Sequence, residues 1–220
     1  MIEILNYRAR LIDLEDLDFL NNIRLSSHVQ NNVGTHLFTN NFLQKNWLEN
    51  ISKSAKEKYL ILEFLDDKND DPSKNLDINS GNNLIESFVE KNDEKTIDKI
   101  EQNSVQTYEQ SYGQKIPKKI GLIRFTEIDF INRSICVGGD IAQDFIGKGH
   151  GTKMYEIIFK ICFDIWGMNR VWLSVLENNH RAINLYKKVG FIQEGIMRSA
   201  IFKDGKFENY ILMSILKGDR

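Results

Sequence analysis

At 220 residues and 25.6 kDa, with 41% hydrophobic residues, the chain is long enough to bury one substantial core, and a single domain over residues 1–220 is expected. Its 29 Lys and Arg nearly cancel 31 Asp and Glu, so no global field draws it to nucleic-acid phosphates or anionic lipid, which disfavours both, and neither a nucleic-acid nor a membrane partner is expected. Two cysteines, Cys136 and Cys162, cannot build a disulfide framework, and Met1-Ile2-Glu3-Ile4 lacks the basic then apolar layout of a signal peptide. The richest apolar stretch, Met154 to Trp166, is broken by Glu156, Lys160 and Asp164, short of the ~20 residues of a spanning helix, so a cytoplasmic protein is expected.

The opening third reads strand, helix, helix, strand. Asp13-Leu14-Glu15-Asp16 offers a capping carboxylate with an acid three positions on, and Leu17, Leu20 and Ile23 share one helical face, which predicts a helix over about 14–24. After Thr39 or Asn40, Leu43, Trp47 and Ile51 recur every four residues, and Lys58 to Phe64 turns strand-like. From Asp66 to Lys119 the composition shifts to Asn, Asp, Ser, Lys and Gln, with 12 acidic and 8 basic residues. This stretch, about 66–118, reads as a polar insertion, in which Leu84, Ile85, Phe88, Val89, Ile97 and Ile100 could line a marginal helix.

Ile120 to Ile128 and Ile135 to Ala142, joined by a turn at Asp129 to Arg133, predict an antiparallel hairpin. Its second strand runs into Phe145-Ile-Gly-Lys-Gly-His-Gly-Thr152, after which Met154, Ile158, Ile161 and Ile165 mark a helix ending near Gly167. A strand over Val171–Leu176 follows, then a helix over Arg181–Val189 closed by Gly190, and a last hairpin, Phe191–Ile201 with Lys206–Leu216, about Asp204-Gly205. The order of elements is α+β with mixed strands.

Gly147, Gly149 and Gly151 alternate just before a helix, so backbone amides there can approach a ligand unshielded by side chains. The helix start adds unpaired N–H groups and a positive dipole end, which suit a phosphate or pyrophosphate. The spacing is neither a nucleotide P-loop nor the dinucleotide G-x-G-x-x-G, which demotes ATP and NAD, and a flexible turn opening a helix remains the alternative.

Gly147 to Thr152, followed by Asn179-His-Arg-Ala-Ile-Asn-Leu-Tyr186-Lys-Lys-Val-Gly-Phe191, resembles the GNAT superfamily of acyl-CoA N-acyltransferases. The likeness extends through Glu194-Gly195 and Lys203 to Met213, as in the branch containing ribosomal-protein alanine, spermidine and amino-sugar acetyltransferases. It is strong over Lys119–Lys217 and weaker over Met1–Phe64. The resemblance implies the GNAT fold, a central mixed twisted sheet flanked by helices, with the insertion as an addition. It implies acetyl-CoA as cosubstrate, its pyrophosphate on the amides of Gly147, Lys148, Gly149, His150, Gly151 and Thr152, and its pantetheine along the strand near Ile141, between two strands that splay apart. Asn179 would contact the pantetheine arm, and Tyr186 would protonate the departing thiolate. A phenol titrates near pH ~10 and so carries a proton to give at neutral pH.

Two positions depart from the family pattern. Ile146 stands where Arg or Gln is usual before the glycines, which removes a side-chain contact and leaves the backbone cradle. Cys136 falls where many relatives carry a Glu that deprotonates the substrate ammonium, so the base falls to Glu127, Asp140, a histidine or ordered water. Cys136 itself has no His and Asp nearby in sequence to activate it and reads as a small buried hydrophobe. His28, His36, His150 and His180 show no metal-ligand spacing, and no metal is expected. Arg24, opening Arg24-Leu-Ser-Ser-His-Val29, matches an arginine that faces the acceptor in this branch, against the alternative of a solvated or ion-paired side chain.

The expected activity is direct acetyl transfer to a primary amine, without a covalent enzyme intermediate, the oxyanion being met by backbone N–H near Ile141. The acceptor expected first is an amino group on a nucleotide-linked sugar and next a polyamine. Acetylation of a protein N-terminus and a non-catalytic acyl-CoA-binding module are the rival readings, and a homodimer through an exposed strand edge is a further expectation.

Overall fold

The computed structural model describes residues 1–33, 41–65 and 117–220. The chain begins with a hairpin of β1 (Ile2–Ile4) and β2 (Tyr7–Leu11), where the sequence suggests one strand, because the turn at Leu5 and Asn6 carries no glycine signal. Leu5 takes φ +52° there. A 3₁₀ turn at Leu14–Asp16 leads into α1 (Leu17–Leu25), with the Asp13 carboxylate accepting from the Glu15 amide as expected of a cap. A short α2 (Ser27–Asn32), which periodicity does not reveal, opens on Ser26, whose hydroxyl accepts from the Val29 amide at 3.3 Å. Next come α3 (Asn41–Ser52) and β3 (Lys58–Phe64). The predicted start of α3 at Thr39 or Asn40, His36, and nearly all of the insertion with its Leu84 to Ile100 pattern lie outside the described residues.

The second half follows the predicted order. It runs β4 (Lys118–Asp129), β5 (Ser134–Ile141), α4 (His150–Phe159), β6 (Arg170–Leu176), α5 (His180–Lys188), β7 (Ile192–Lys203) and β8 (Lys206–Leu216). The helix predicted to reach Gly167 is α-helical only to Phe159 and widens into a π-helical turn over Lys160–Ile165, where the Trp166 amide bonds the Ile161 carbonyl at 2.9 Å. The strands form one eight-stranded sheet in the order β1-β2-β3-β4-β5-β6-β8-β7, antiparallel except for β5 beside β6.

The alternation along β3 explains the two layers of helix. Leu60, Leu62 and Phe64 face α4 in the main core with Tyr155, Ile158 and Phe159, whereas Tyr59 and Ile61 face α1 and α3, packing on Leu20, Leu48 and Ile51. Both faces of β3 are thereby covered, so its apolar run is nearly continuous. The one acid in it, Glu63, is buried and meets Arg10 Nε at 2.9 Å and Arg8 Nε. Arg10 also spans to the fully buried Asp16, which Lys119 reaches at 2.6 Å, so an ionic network fixes the start of α1 against the sheet.

By contrast, β7 is the sheet edge and is largely exposed, with Ile192, Ile196 and Met197 facing solvent. Near the turn of its hairpin, Lys203 is buried and donates to the carbonyls of Gln30 at 2.6 Å and Val33 at 2.8 Å, tying the hairpin to the end of α2. Among the described residues, no helix is long and apolar enough to cross a membrane.

Candidate active site

The site originates in a conflict of strand pairing. β5 stays on β4 as far as Ile141, which pairs with Gly121, while β6 stays on β8 along its whole length. The two therefore share a register only at Ser134–Cys136 with Arg170–Trp172. Beyond Cys136 they diverge, and a cavity of about 480 Å³ opens between Val137–Ile141 and Leu173–Leu176. Amides of β5 along this edge have no β6 partner, as a site for a developing oxyanion requires.

The glycine loop forms one end of the cavity. Gly147 and Gly149 have φ of +80° and +86°, in the left-handed region that side-chain-bearing residues avoid, and Gly149 is the N-cap of α4. No side chain caps this helix, although the Gly149 carbonyl accepts from Thr152 at 3.0 Å. With no side-chain cap, the helix start presents the positive end of its dipole toward the cavity that the loop lines. Gly147, Gly149, Gly151 and Thr152 line the cavity together with Ile146. Lys148 is exposed and sits 5.7 Å from the Phe145 ring.

The His150 side chain is buried on the sheet side, where Nδ1 lies 2.8 Å from the Tyr7 hydroxyl, within a cage of Tyr7, Phe64 and Phe145. The imidazole is thereby committed to the sheet and not to a ligand on the loop. Its ring instead pins the loop to β2 from a position 143 residues away in sequence.

A further wall comes from α5. Asn179 caps α5, its Oδ1 accepting from the Ala182 amide at 3.2 Å, and the residue also lines the cavity. Tyr186 lies two turns on, also in the wall, and burial raises its phenol above the ordinary range. Its ring meets the Tyr155 ring edge-on at 5.4 Å. Tyr155 is wholly buried, borders the same cavity, and its hydroxyl has no hydrogen-bond partner of good geometry among the described residues.

Of the two proposed bases, Asp140 lines the cavity and is ion-paired with Arg124 on the neighbouring strand. Burial works against the charge of Arg124, but the Asp140 carboxylate more than offsets it and holds the guanidinium firmly protonated. Gly138 on β5 leaves room for the pair, since a Cβ there would lie 2.9 Å from Arg124 Nη2. Glu127 is exposed on the bulge that interrupts the β4–β5 register, with φ +49°, and is not part of the cavity wall. Cys136 lines the cavity, and burial pushes its thiol up, which leaves it a poor nucleophile.

Arg24 is not in the cavity wall. Its Nη1 donates to Gln44 Oε1 at 3.0 Å and its guanidinium lies 4.3 Å from the Trp47 ring, so it braces α1 against α3. The acceptor side is lined instead by His28, Asn32 and Val33 at α2, with Arg181 facing them from α5. Burial, and then Arg181, lower the titration of His28 and keep its imidazole neutral near pH 7. Sequence reasoning missed these residues and Arg124. The only signal was a charge in the middle of the apolar run Ile120-Gly-Leu-Ile-Arg124-Phe. Among the described residues no three His, Cys, Asp or Glu side chains converge as metal ligands would.

Loop and wedge fit an acyl-CoA: the glycine loop at the helix start suits its pyrophosphate, the unpaired strand edge suits its amide-bearing arm, and the Tyr155 and Tyr186 side chains border the same cavity. Known proteins place the chain in the same way. Residues 82–191 match the model of the acetyltransferase (GNAT) family. The spermidine N(1)-acetyltransferase of Vibrio cholerae is 31% identical over 98 residues, 44% of this chain and 57% of that protein. The Escherichia coli K12 spermidine N(1)-acetyltransferase is 29% identical over 100 residues, 46% of this chain and 54% of that protein, and the putative ribosomal N-acetyltransferase YdaF of Bacillus subtilis is 28% identical over 97, 44% and 53%. The chain thus spans about half the length of the curated relatives it matches. A crystal structure of the Vibrio cholerae spermidine N-acetyltransferase with CoA and spermine superposes with a TM-score of 0.71 over 98% of both chains, and at 18% identity this is a likeness of fold. With the family's glycine loop, splayed strands and terminal hairpin all in place, the chain belongs to the acetyltransferase (GNAT) family.

Proposed function

We propose that the protein is an acetyl-CoA-dependent N-acetyltransferase acting on a primary amine, and the observation that carries this is the opening of β5 from β6 between the glycine loop and Tyr186. Acetyl-CoA supplies a thioester carbonyl open to direct attack. The glycine loop from Gly147 to Gly151 and the dipole of the helix it opens hold the pyrophosphate, Ile141 and the β5 edge align the arm, and Asn179 closes over it from α5. Asp140 draws the acceptor ammonium into the wedge, and the neutral His28 imidazole on the facing helix accepts its proton, by itself or through water. Tyr186 returns a proton to the leaving sulfur. A non-catalytic acyl-CoA module would have no use for this arrangement of base and acid.

A polyamine is the acceptor we favour, reversing the order suggested by sequence. Relatives named for spermidine support it, as does the acidic surplus of residues 66–119, whereas nothing among the relatives supports an amino sugar. Arg124 and Arg181 oppose a long polycation, which keeps the α-amine of a protein N-terminus as the second reading, favoured by the likeness to the putative ribosomal N-acetyltransferase. Thiol release from acetyl-CoA is measured with spermidine, spermine, a 4-amino-sugar nucleotide and Ala- or Ser-starting peptides. Turnover with the polyamines alone is expected. Turnover with peptides alone would move the assignment to the second reading, and acetyl-CoA binding without turnover on any amine would overturn both.

A further inference from the structure

The Tyr155 hydroxyl is a polar atom without a purpose in the free protein. It is completely buried, meets no acceptor or donor in hydrogen-bond geometry among the described residues, and borders the cavity beside Tyr186. Leaving a hydroxyl unsatisfied in a core costs stability, and a phenylalanine would fill the same space without that cost. The rest of the ring is ordinary core, packed against Phe159 and Phe191. Only the oxygen therefore needs a reason to be there.

Its nearest polar neighbour supplies one. The Tyr155 and Tyr186 rings stand 5.4 Å apart at 72°, close enough that each hydroxyl alters the other's titration, although no bond of full geometry is made. The influence has a direction. Burial raises both phenols, and the contact then raises Tyr155 further and pulls Tyr186 back down, as when Tyr155 is the donor and Tyr186 the acceptor. Arg124 pulls both down and Asp140 raises both, and these are the charged groups facing the pair from β4 and β5.

We propose that Tyr155 is a positioning residue for the acid Tyr186: during acetyl transfer its hydroxyl donates to the Tyr186 oxygen, so that the Tyr186 proton can point only at the leaving sulfur. The inference rests on the function proposed above. The amine nitrogen adds to the thioester carbonyl, and as the tetrahedral intermediate collapses the C–S bond breaks, Tyr186 gives its proton to the sulfur, and the Tyr155 O–H stabilises the phenolate left behind. The proton lost by the amine, passed through His28 or solvent, restores the Tyr186 phenol.

The test is Tyr155→Phe in the full chain, alone and with Tyr186→Phe, read by melting temperature, CoA affinity and kcat with an active amine. The single variant is expected to melt no lower than the wild type, to bind CoA within about twofold, and to lose about tenfold in kcat, the worth of one hydrogen bond to a charged group. In the Tyr186→Phe background it should cost nothing further, because the residue acts through Tyr186. Rescue of kcat by Tyr155→His, which restores an N–H donor on a ring, would add support. Wild-type turnover with an unchanged Tyr155→Phe kcat, a loss that adds fully to that of Tyr186→Phe, or a melting temperature lowered by several degrees with kcat intact would each overturn the inference alone. A wild type inert to every amine would overturn the functional reading and the inference with it.

Discussion

The two ends of the cavity are built from different materials. The cofactor end is made by backbone: left-handed glycines, an uncapped helix start and a strand edge without a partner. The acceptor end is made by side chains from four elements, with Arg124 and Asp140 on neighbouring strands, His28 on α2 and Arg181 on α5. Backbone recognition tolerates wide change in sequence as long as the glycines remain, whereas recognition by side chains shifts with each substitution. On the function proposed above, the first end takes the acetyl-CoA and the second selects the amine.

Substitutions at the two ends should separate acetyl-CoA parameters from amine parameters. The largest effect is expected at their junction, where Tyr186→Phe should lower kcat about a hundredfold, the low end for general acid catalysis, with CoA affinity by calorimetry unchanged. The pH profile gives a second check. A phenol is the acid form only below its pKa, and burial raises that of Tyr186, so the alkaline limb of kcat should lie above the ordinary pH ~10 of a tyrosine. A limb well below pH ~9 would assign the proton to another group.

At the cofactor end, Gly149→Ala meets no neighbouring atom but must hold φ +86°, which costs ~1–2 kcal/mol. About a tenfold loss of CoA affinity is expected, with the amine KM unchanged. At the acceptor end, Asp140→Asn leaves Arg124 without its counter-charge and should raise the amine KM about fivefold at constant CoA affinity, the ~1 kcal/mol of a partly exposed charge contact. If either variant moved both parameters equally, the division between the ends would fail. Tyr7→Phe, which removes the hydroxyl bonded to His150, should raise the acetyl-CoA KM about threefold through the loop it anchors. The smallest change is expected from Cys136→Ala, within about twofold in kcat and with no acetyl group detectable on the protein by mass spectrometry, since direct transfer needs no thiol.

The sequence determined the cofactor end because its information is local. Three alternating glycines and a helix periodicity starting at Met154 each describe a few consecutive residues, and the structure has both. It likewise determined the terminal hairpin, whose Asp204-Gly205 turn is a short-range signal. Only the tertiary structure decided what Arg24, Glu127, His150 and Tyr155 do, since each depends on residues far away in the chain. Arg24 is drawn to Trp47 and Gln44 on α3, Glu127 is turned to solvent by a bulge, His150 is buried against Tyr7, and the Tyr155 ring stands 5.4 Å from that of Tyr186 because two helices meet at Gly151, where a Cβ would come within 3.0 Å of Leu185. The cavity is tertiary as well. β5 and β6 are each a good strand in isolation, and it is their commitment to different neighbours that pulls them apart.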